Sequence, residues 1–429
     1  MRFIASLLIY LLFSTITLAQ SNKTEKQLVK WVDEHNQEAL MLLEELVNIN
    51  SGTMNFEGVK AVADALVPKF EALGMEVEFT DGSAFNRAGH LVAKIEGGKG
   101  PKILMIGHLD TVFEPNSPFQ KWEKVDDNTV KGPGIADMKG GDVIILQALS
   151  ALHAQKLLKD MNILVVMTGD EELSGSPLSE SKKELIEAAK WADIALGFEN
   201  ADGNPATVNV ARRSSSSWKL EVSGKAAHSS QVFKSEVGAG SIYEASRILN
   251  QFYVELAGEE YLTFNPGVIL GGTDVTYDEK SKSGTAFGKN NVVAQSTIVT
   301  GDIRCLTNEQ LERTKESMKR IVKGNLPRTT ATITFGEGYP PFAPTEGNYQ
   351  LMEQFSKVSQ DLGFGPVTAV NPADAGAADI SFTSEYISMG IDGMGLSGAN
   401  DHSVNEIGYL DALPKQSKRA AVLIYRLTK

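Results

Sequence analysis

Short apolar runs alternate with helical stretches along the first half of this chain, and that alternation limits the fold more than any other feature. Residues 91–95, 102–106, 162–167 and 193–196 have the length and apolar content of strands. Apolar residues recur at helical spacing over 23–48 (Leu28, Trp31, Val32, Leu40, Leu43, Val47) and over 59–73, and further helical stretches cover 142–155 and 182–191. Strands and helices in this order predict an α/β layer built on a mostly parallel sheet. At 429 residues the chain is long enough for a large core and at least two domains.

The pattern changes near 211–217. Arg212-Arg213 and four serines, read as a hinge or the start of a strand, precede the alternating run Trp218-Lys219-Leu220-Glu221-Val222. A helix over 237–253, strands at 267–271 and 291–304, a helix over 308–322 and a strand over 330–335 complete a βαββαβ order. Two helices on a four-stranded antiparallel sheet make the ferredoxin-like arrangement, so an α+β domain is expected to be inserted into the α/β one. We place the inserted domain at 212–325 and the surrounding domain at 20–211 and 326–429. From 340 onward helix and strand alternation resumes, ending in a helix over 413–427.

The first residues read as an export signal. Arg2 precedes the apolar run 3–13, and Thr17-Leu18-Ala19 is a small-x-small cleavage site. Residues 1–19 are therefore expected to be removed as a signal peptide, with an uncleaved anchor as the other reading. No later stretch is apolar for long enough to span a bilayer, so no stable membrane insertion is expected after cleavage. Cys305 is the only cysteine, which rules out an intrachain disulfide. Export without disulfides points to a bacterial periplasm or exterior. The same count removes zinc-finger and thiol-nucleophile chemistry. A formal net charge of −13 argues against nucleic acid and anionic membranes as partners.

Five patches of His, Asp and Glu close these elements: Gly107-His108-Leu109-Asp110, the glycine-flanked loop around Asp137, Gly169-Asp170-Glu171-Glu172, Phe198-Glu199 and Asn400-Asp401-His402-Ser403. The first four fall at the carboxyl ends of strands or just beyond, where open α/β sheets place their sites. Two imidazoles with several carboxylates suit a borderline divalent metal such as zinc. Acids left over after one ion suggest a second, and with it metal-assisted hydrolysis. His108 and Asp110 are two apart in extended chain and face one side, so one can ligate while the other steadies it. Adjacent glutamates diverge, which suggests that Glu171 and Glu172 divide into a general base and a ligand. His35, His90 and His153 have no such company and read as structural or surface residues. The glycine-rich segment 132–141 lacks the ending of a phosphate loop, and no G-x-S-x-G elbow is present.

These segments, together with Gly132-Pro133-Gly134-Ile135-Ala136-Asp137-Met138-Lys139-Gly140-Gly141 and Gly224-Lys225-Ala226-Ala227-His228, resemble the M20 family of metallopeptidases and aminoacylases. The resemblance is strongest to its glutamate carboxypeptidase (carboxypeptidase G2-like) branch, and it runs in family order over nearly the whole mature chain. It implies that His108, Asp137, Glu172, Glu199 and His402 hold two zinc ions, replaceable by cobalt or manganese in vitro. Asp137 would bridge them, with His108 and Glu199 on one and Glu172 and His402 on the other. Glu171 would be the general base for the water between the ions, and Asp110 would orient His108. A cis peptide bond is implied after Asp137.

The same resemblance makes the inserted domain a lid and the surface of a homodimer. His228 would reach the neighbouring subunit's site and polarise the scissile carbonyl, while Asn291 and Arg304 would take the substrate's carboxylate. Two departures stand out. The histidine motif reads Ala227-His228-Ser229-Ser230, and Gly338-Tyr339-Pro340-Pro341-Phe342 has no arginine where glutamate-selective relatives carry one. The implied activity is a secreted carboxypeptidase releasing a C-terminal amino acid, glutamate foremost, from N-acyl amino acids or small peptides. An N-acyl-amino-acid deacylase, a desuccinylase or a dipeptidase would use the same machinery. A non-catalytic metal- or peptide-binding relative is the alternative of a different class.

Overall fold

The computed structural model describes residues 22–429, and the expected leader lies outside them. Six strands form the central sheet, in the spatial order Glu76–Asp81, Gly89–Glu96, Asn162–Thr168, Lys102–His108, Ile194–Gly197 and Met389–Ile391. The first two pairings are antiparallel and the other three parallel, so four contiguous strands run the same way. Successive side chains of a strand leave opposite faces, and here both faces are buried. Ile103 and Met105 join one core cluster and Leu104 and Ile106 another; Ile163, Val165 and Met167 part from Leu164 and Val166 in the same way. That burial explains why these strands are continuous apolar runs.

The larger cluster lies under helices Lys23–Glu34, Asn36–Val47, Phe56–Ala72, Gly140–Ala154 and Ala412–Leu427. The smaller one takes Leu185, Ala188 and Ala189 from Lys183–Trp191 on the opposite face. Gly140–Ala154 is apolar nearly all round because it runs between the sheet and three further helices, Lys23–Glu34, Asn36–Val47 and Ala412–Leu427. The single helical stretch expected over 23–48 is two helices, parted at His35, whose ring stacks on Trp31 at 4.0 Å between centroids. No helix among the described residues is long and apolar enough to cross a membrane.

Strands Thr263–Gly272, Ser296–Arg304, Ser216–Ser223 and Thr330–Phe335 form, in that spatial order, a second sheet that is antiparallel throughout. Trp218, Leu220 and Val222 on one of its faces pack against Ser241–Leu256 and Asn308–Lys323. This is the βαββαβ arrangement, extended by an exposed hairpin, Asp274–Asp278 with Ser283–Phe287. The boundary expected at 325 is too early. Thr330–Phe335 pairs along its length with Ser216–Ser223, and Ala331, Ile333 and Phe335 pack on the inserted core, so the inserted unit extends to Phe335. The two chain segments that join the layers run side by side, bridged at Arg212–Phe342 and Ser215–Tyr339.

Candidate active site

Three neighbouring parallel strands end side by side, and each delivers an acid or imidazole. Lys102–His108 ends in His108, Asn162–Thr168 leads into Asp170, Glu171 and Glu172, and Ile194–Gly197 leads into Glu199. A smaller sheet supplies the rest. Thr129–Lys131 pairs with Ile407–Tyr409, which pairs with Gly398–Ala399, so the turn bearing Asp137 lies against the loop bearing His402. Gly134 begins that turn at φ +72°, a backbone that favours glycine. The Asp137–Met138 peptide bond is cis. A Cβ on Gly141 would stand 2.1 Å from the Phe198 carbonyl oxygen, so only glycine lets the following helix press against the chain that carries Glu199.

Two triads result. His108 Nε2 lies 3.1 Å from Asp137 Oδ1 and 3.6 Å from Glu199 Oε1. His402 Nε2 lies 2.9 Å from Asp137 Oδ2 and 3.2 Å from Glu172 Oε2. Within each triad the candidate ligand atoms are all within 4.8 Å of one another, and Asp137 belongs to both, one oxygen to each. Three carboxylates and two imidazoles arranged in this way fit a pair of divalent ions. Burial pushes Glu199 well above the usual carboxylate range, and Asp137, Glu171 and Asp392 add repulsion. Burial and Asp137 push Glu172 to about 7. Burial would depress His108, but Glu199, Asp110 and Asp137 outweigh it and raise the imidazole well above its ordinary value. Asp137 and Glu172 raise His402 to about 11. Without ions the site holds its acids by keeping protons on them or on the imidazoles, and divalent cations would take the place of those protons.

Glu171 belongs to neither triad. Burial lifts it well above the carboxylate range, with Asp379, Glu172 and Asp137 repelling and His108 attracting it. Asp110 takes a wider part than the orientation of His108. His108 Nδ1 is 3.0 Å from the Asp110 carbonyl oxygen and 3.5 Å from its carboxylate. The carboxylate accepts instead from the backbone N–H groups of Glu171 and Glu172, both at 3.1 Å, and from Thr53 Oγ1 at 2.6 Å. It thus fixes the loop that carries both glutamates.

With that geometry in view, comparison with known proteins identifies the family. The family model described as peptidase family M20/M25/M40 matches residues 104–426. The chain belongs to that family. It is an M20-family metallopeptidase, 26% identical over 413 residues to carboxypeptidase G2 from Pseudomonas sp. (strain RS-16), a match covering 95% of this chain and 94% of the relative. Among solved structures, aminopeptidase PepT from Bacillus cereus ATCC 10987 matches with a TM-score of 0.70 at 19% identity, over 92% of this chain and 99% of its own. The YXEP protein of Bacillus subtilis, a dinuclear metal binding peptidase of the M20 family, matches with a TM-score of 0.65 at 17% identity, over 92% and 100%. At such identities these two structures speak for the fold.

The three M20 lid candidates stand apart from the triads. His228 is exposed, its Nδ1 2.8 Å from Ser230 Oγ. Asn291 is its neighbour, since the Ser229 N–H donates to the Asn291 carbonyl at 2.9 Å. Arg304 lies at the far end of Ser296–Arg304 and pairs with Asp302 at 3.1 Å. Among the described residues, no hydrogen bond or ion pair links any of the three to the two triads. His90 and Cys305 occupy structural positions. His90 is buried, accepts the Gly169 N–H at Nδ1 and lies 2.8 Å from the Ser181 carbonyl. Cys305 is buried, and burial pushes its thiol to about 11.

Sequence reasoning missed the carboxylates that hold the loops from behind. Asp392 accepts the Glu199 N–H at 3.2 Å and pairs with buried Arg212 at 2.7 Å, so Arg212 ties the hinge to a candidate ligand. Buried Lys182 bridges Asp170 at 2.8 Å and Asp379 at 3.0 Å behind the glutamate loop. Tyr339, on the outgoing hinge segment, donates its hydroxyl to the Glu171 carbonyl at 2.8 Å. Glu406 accepts three amides of the Asp137 turn. An acid far away in sequence carries no local signal of this role. For Glu406, its place four residues after His402 was the one clue available.

Proposed function

We propose that this chain is an exported dinuclear zinc exopeptidase that hydrolyses the amide bond before a C-terminal amino acid, glutamate foremost, in N-acyl amino acids or small peptides. The observation that carries the reading is the pair of triads sharing Asp137, with Glu171 beside them and outside both. His108, Asp137 and Glu199 would hold one ion, and Asp137, Glu172 and His402 the other. Divalent ions in such a site polarise a carbonyl and lower the pKa of water to about 7. Glu171 takes a proton from the attacking water and gives it to the leaving amine nitrogen as the C–N bond breaks. Its raised proton affinity suits both halves of that transfer. Asp110 holds the Glu171–Glu172 backbone in register. The inserted domain is read as a lid and dimer surface, Arg304 and Asn291 as partners of the substrate carboxylate, and His228 as a donor to the scissile carbonyl across the dimer. The 26% identity to carboxypeptidase G2 over nearly the whole chain supports the carboxypeptidase assignment.

A second reading keeps the machinery and changes the substrate to that of an N-acyl-amino-acid deacylase or dipeptidase. It is favoured by residues 338–342, which offer no arginine and turn Tyr339 toward the Glu171 loop instead. A panel of N-acyl amino acids and dipeptides, assayed with zinc, cobalt and manganese by release of the free amino acid, separates the two. Fastest release of C-terminal glutamate is expected. A clear preference for an apolar C-terminal residue overturns the glutamate assignment, and cleavage of none by the zinc-loaded protein overturns the enzyme.

A further inference from the structure

We propose that Glu406 is a positioning residue for the whole two-ion site, locking the turn that carries Asp137 to the loop that carries His402. Its side chain is fully buried. Oε1 accepts the N–H groups of Ala136 at 2.9 Å and Asp137 at 3.2 Å, and Oε2 accepts that of Gly134 at 3.0 Å. Three converging backbone amides form a concavity suited to an anion, and here the chain itself fills it. The backbone adds to the grip, because the Gly132 N–H donates to the Glu406 carbonyl at 3.3 Å and the register then pairs Lys131 with Ile407.

Two geometric facts give this contact reach. Glu406 follows His402 by four residues, so one short loop carries both a candidate ligand and the carboxylate that seats another. In that loop Asn400 and His402 adopt φ of 61° and 58°, a left-handed backbone that non-glycine residues hold only with support. Asp137 is common to both triads. A shift of its turn therefore disturbs both ligand sets at once, whereas a change at Glu199 disturbs one. Lys139, the last residue of the turn, is buried with its Nζ 2.8 Å from the Ile49 carbonyl, which ties the turn to the chain after Asn36–Val47 as well.

The inference rests on the two-ion reading above, and its test separates the two. Glu406→Gln keeps the side chain's size but sets an amide NH2 against one of the three N–H donors. Glu244→Gln is the control. Glu244 is an equally buried carboxylate of the inserted domain, which accepts the Leu326 N–H at 3.0 Å and pairs with Arg247. Each full-length protein is stripped with chelator and titrated with Co2+, followed by visible d–d absorption and by calorimetry. Glu406→Gln is expected to weaken cobalt binding at both ions by at least about tenfold and to change the absorption band. Glu244→Gln is expected to lower the melting temperature yet titrate as the wild type does. Wild-type affinity and band shape in Glu406→Gln overturn the inference, as does weakening at one ion alone. Should Glu406→Gln fail to fold, Glu406→Asp, which keeps the charge and withdraws it, is expected to bind cobalt more weakly, and wild-type binding there overturns the inference equally. A wild-type protein that takes up no cobalt pair sinks the two-ion reading itself.

Discussion

Glu171 and Glu172 are neighbours in sequence with different surroundings. Glu172 faces His402 and Asp137, while Glu171 stands outside both triads with its proton affinity raised by burial. Glu171→Gln is therefore expected to lower kcat by about 10²- to 10⁴-fold while bound metal per chain, read by elemental analysis, stays at the wild-type value. Unchanged kcat would sink the assignment of the base. The imidazoles make a second prediction. In the ion-free site His402 is raised to about 11 and carries a proton at neutral pH, and His108 is raised well above its ordinary value and holds a proton more firmly than a free imidazole does. Each must lose its proton to offer a lone pair to an ion. Ion uptake should release protons near pH 7, and apparent affinity should fall as pH falls. Calorimetric titrations in two buffers of different ionisation enthalpy count the protons, and a count of zero contradicts the electrostatics described. At this scale the chemistry was legible in the sequence, because His, Asp and Glu declare their ligand atoms. The amide-capping work of Asp110, Asp392 and Glu406 was not, because the partner of a carboxylate is chosen by the fold.

Among the elements, the strands were legible and the joints were not. Lys102–His108 and Asn162–Thr168 announce themselves as unbroken apolar runs, because both faces of a central parallel strand are buried. The helical stretch over 182–191 is less simple. It is Lys183–Trp191 preceded by the separate turn Leu178–Ser181, and buried Lys182 between them reaches Asp170 and Asp379. Tyr339 shows what a joint can do. It lies in the hinge, where its backbone pairs with Ser215 while its hydroxyl holds the Glu171 carbonyl. A shift of the inserted domain at these joining segments would be felt at the Glu171 backbone. Tyr339→Phe removes a part-buried hydroxyl whose partners are the Glu171 carbonyl at 2.8 Å, Asp379 at 3.2 Å and Ser174 at 3.3 Å, and is expected to cost at least about 0.5–1.5 kcal/mol of stability, measured by urea denaturation. It should also lower kcat several-fold with KM and bound metal unchanged. A variant that loses stability but keeps full kcat would show that the contact serves the hinge alone.

For the whole molecule, the question is where His228 acts. It is exposed, beside Asn291 at one end of the second sheet, and without contact to the triads of its own chain. If it serves the partner's site in a symmetric dimer, a Glu171→Gln subunit and a His228→Ala subunit complement each other, since one site of the mixed dimer has both residues. Equal mixing after dissociation should restore about a quarter of wild-type activity, with sedimentation equilibrium reporting the dimer. No recovery from a mixture shown to exchange subunits would place His228 in its own chain's site. The sequence by itself determined the layer order, the apolar strands, the inserted βαββαβ unit and the five patches of His, Asp and Glu, while the choice of five candidate ligands among them came with the family resemblance. These depend on local periodicity and on side-chain chemistry, which a linear string carries. Only the tertiary structure decided that strands Asn162–Thr168, Lys102–His108 and Ile194–Gly197 lie next to one another, that a small sheet sets the Asp137 turn against the His402 loop, and that Glu406 joins them. Neighbourhood between segments far apart in the chain follows from how faces are buried together, and no local pattern records it.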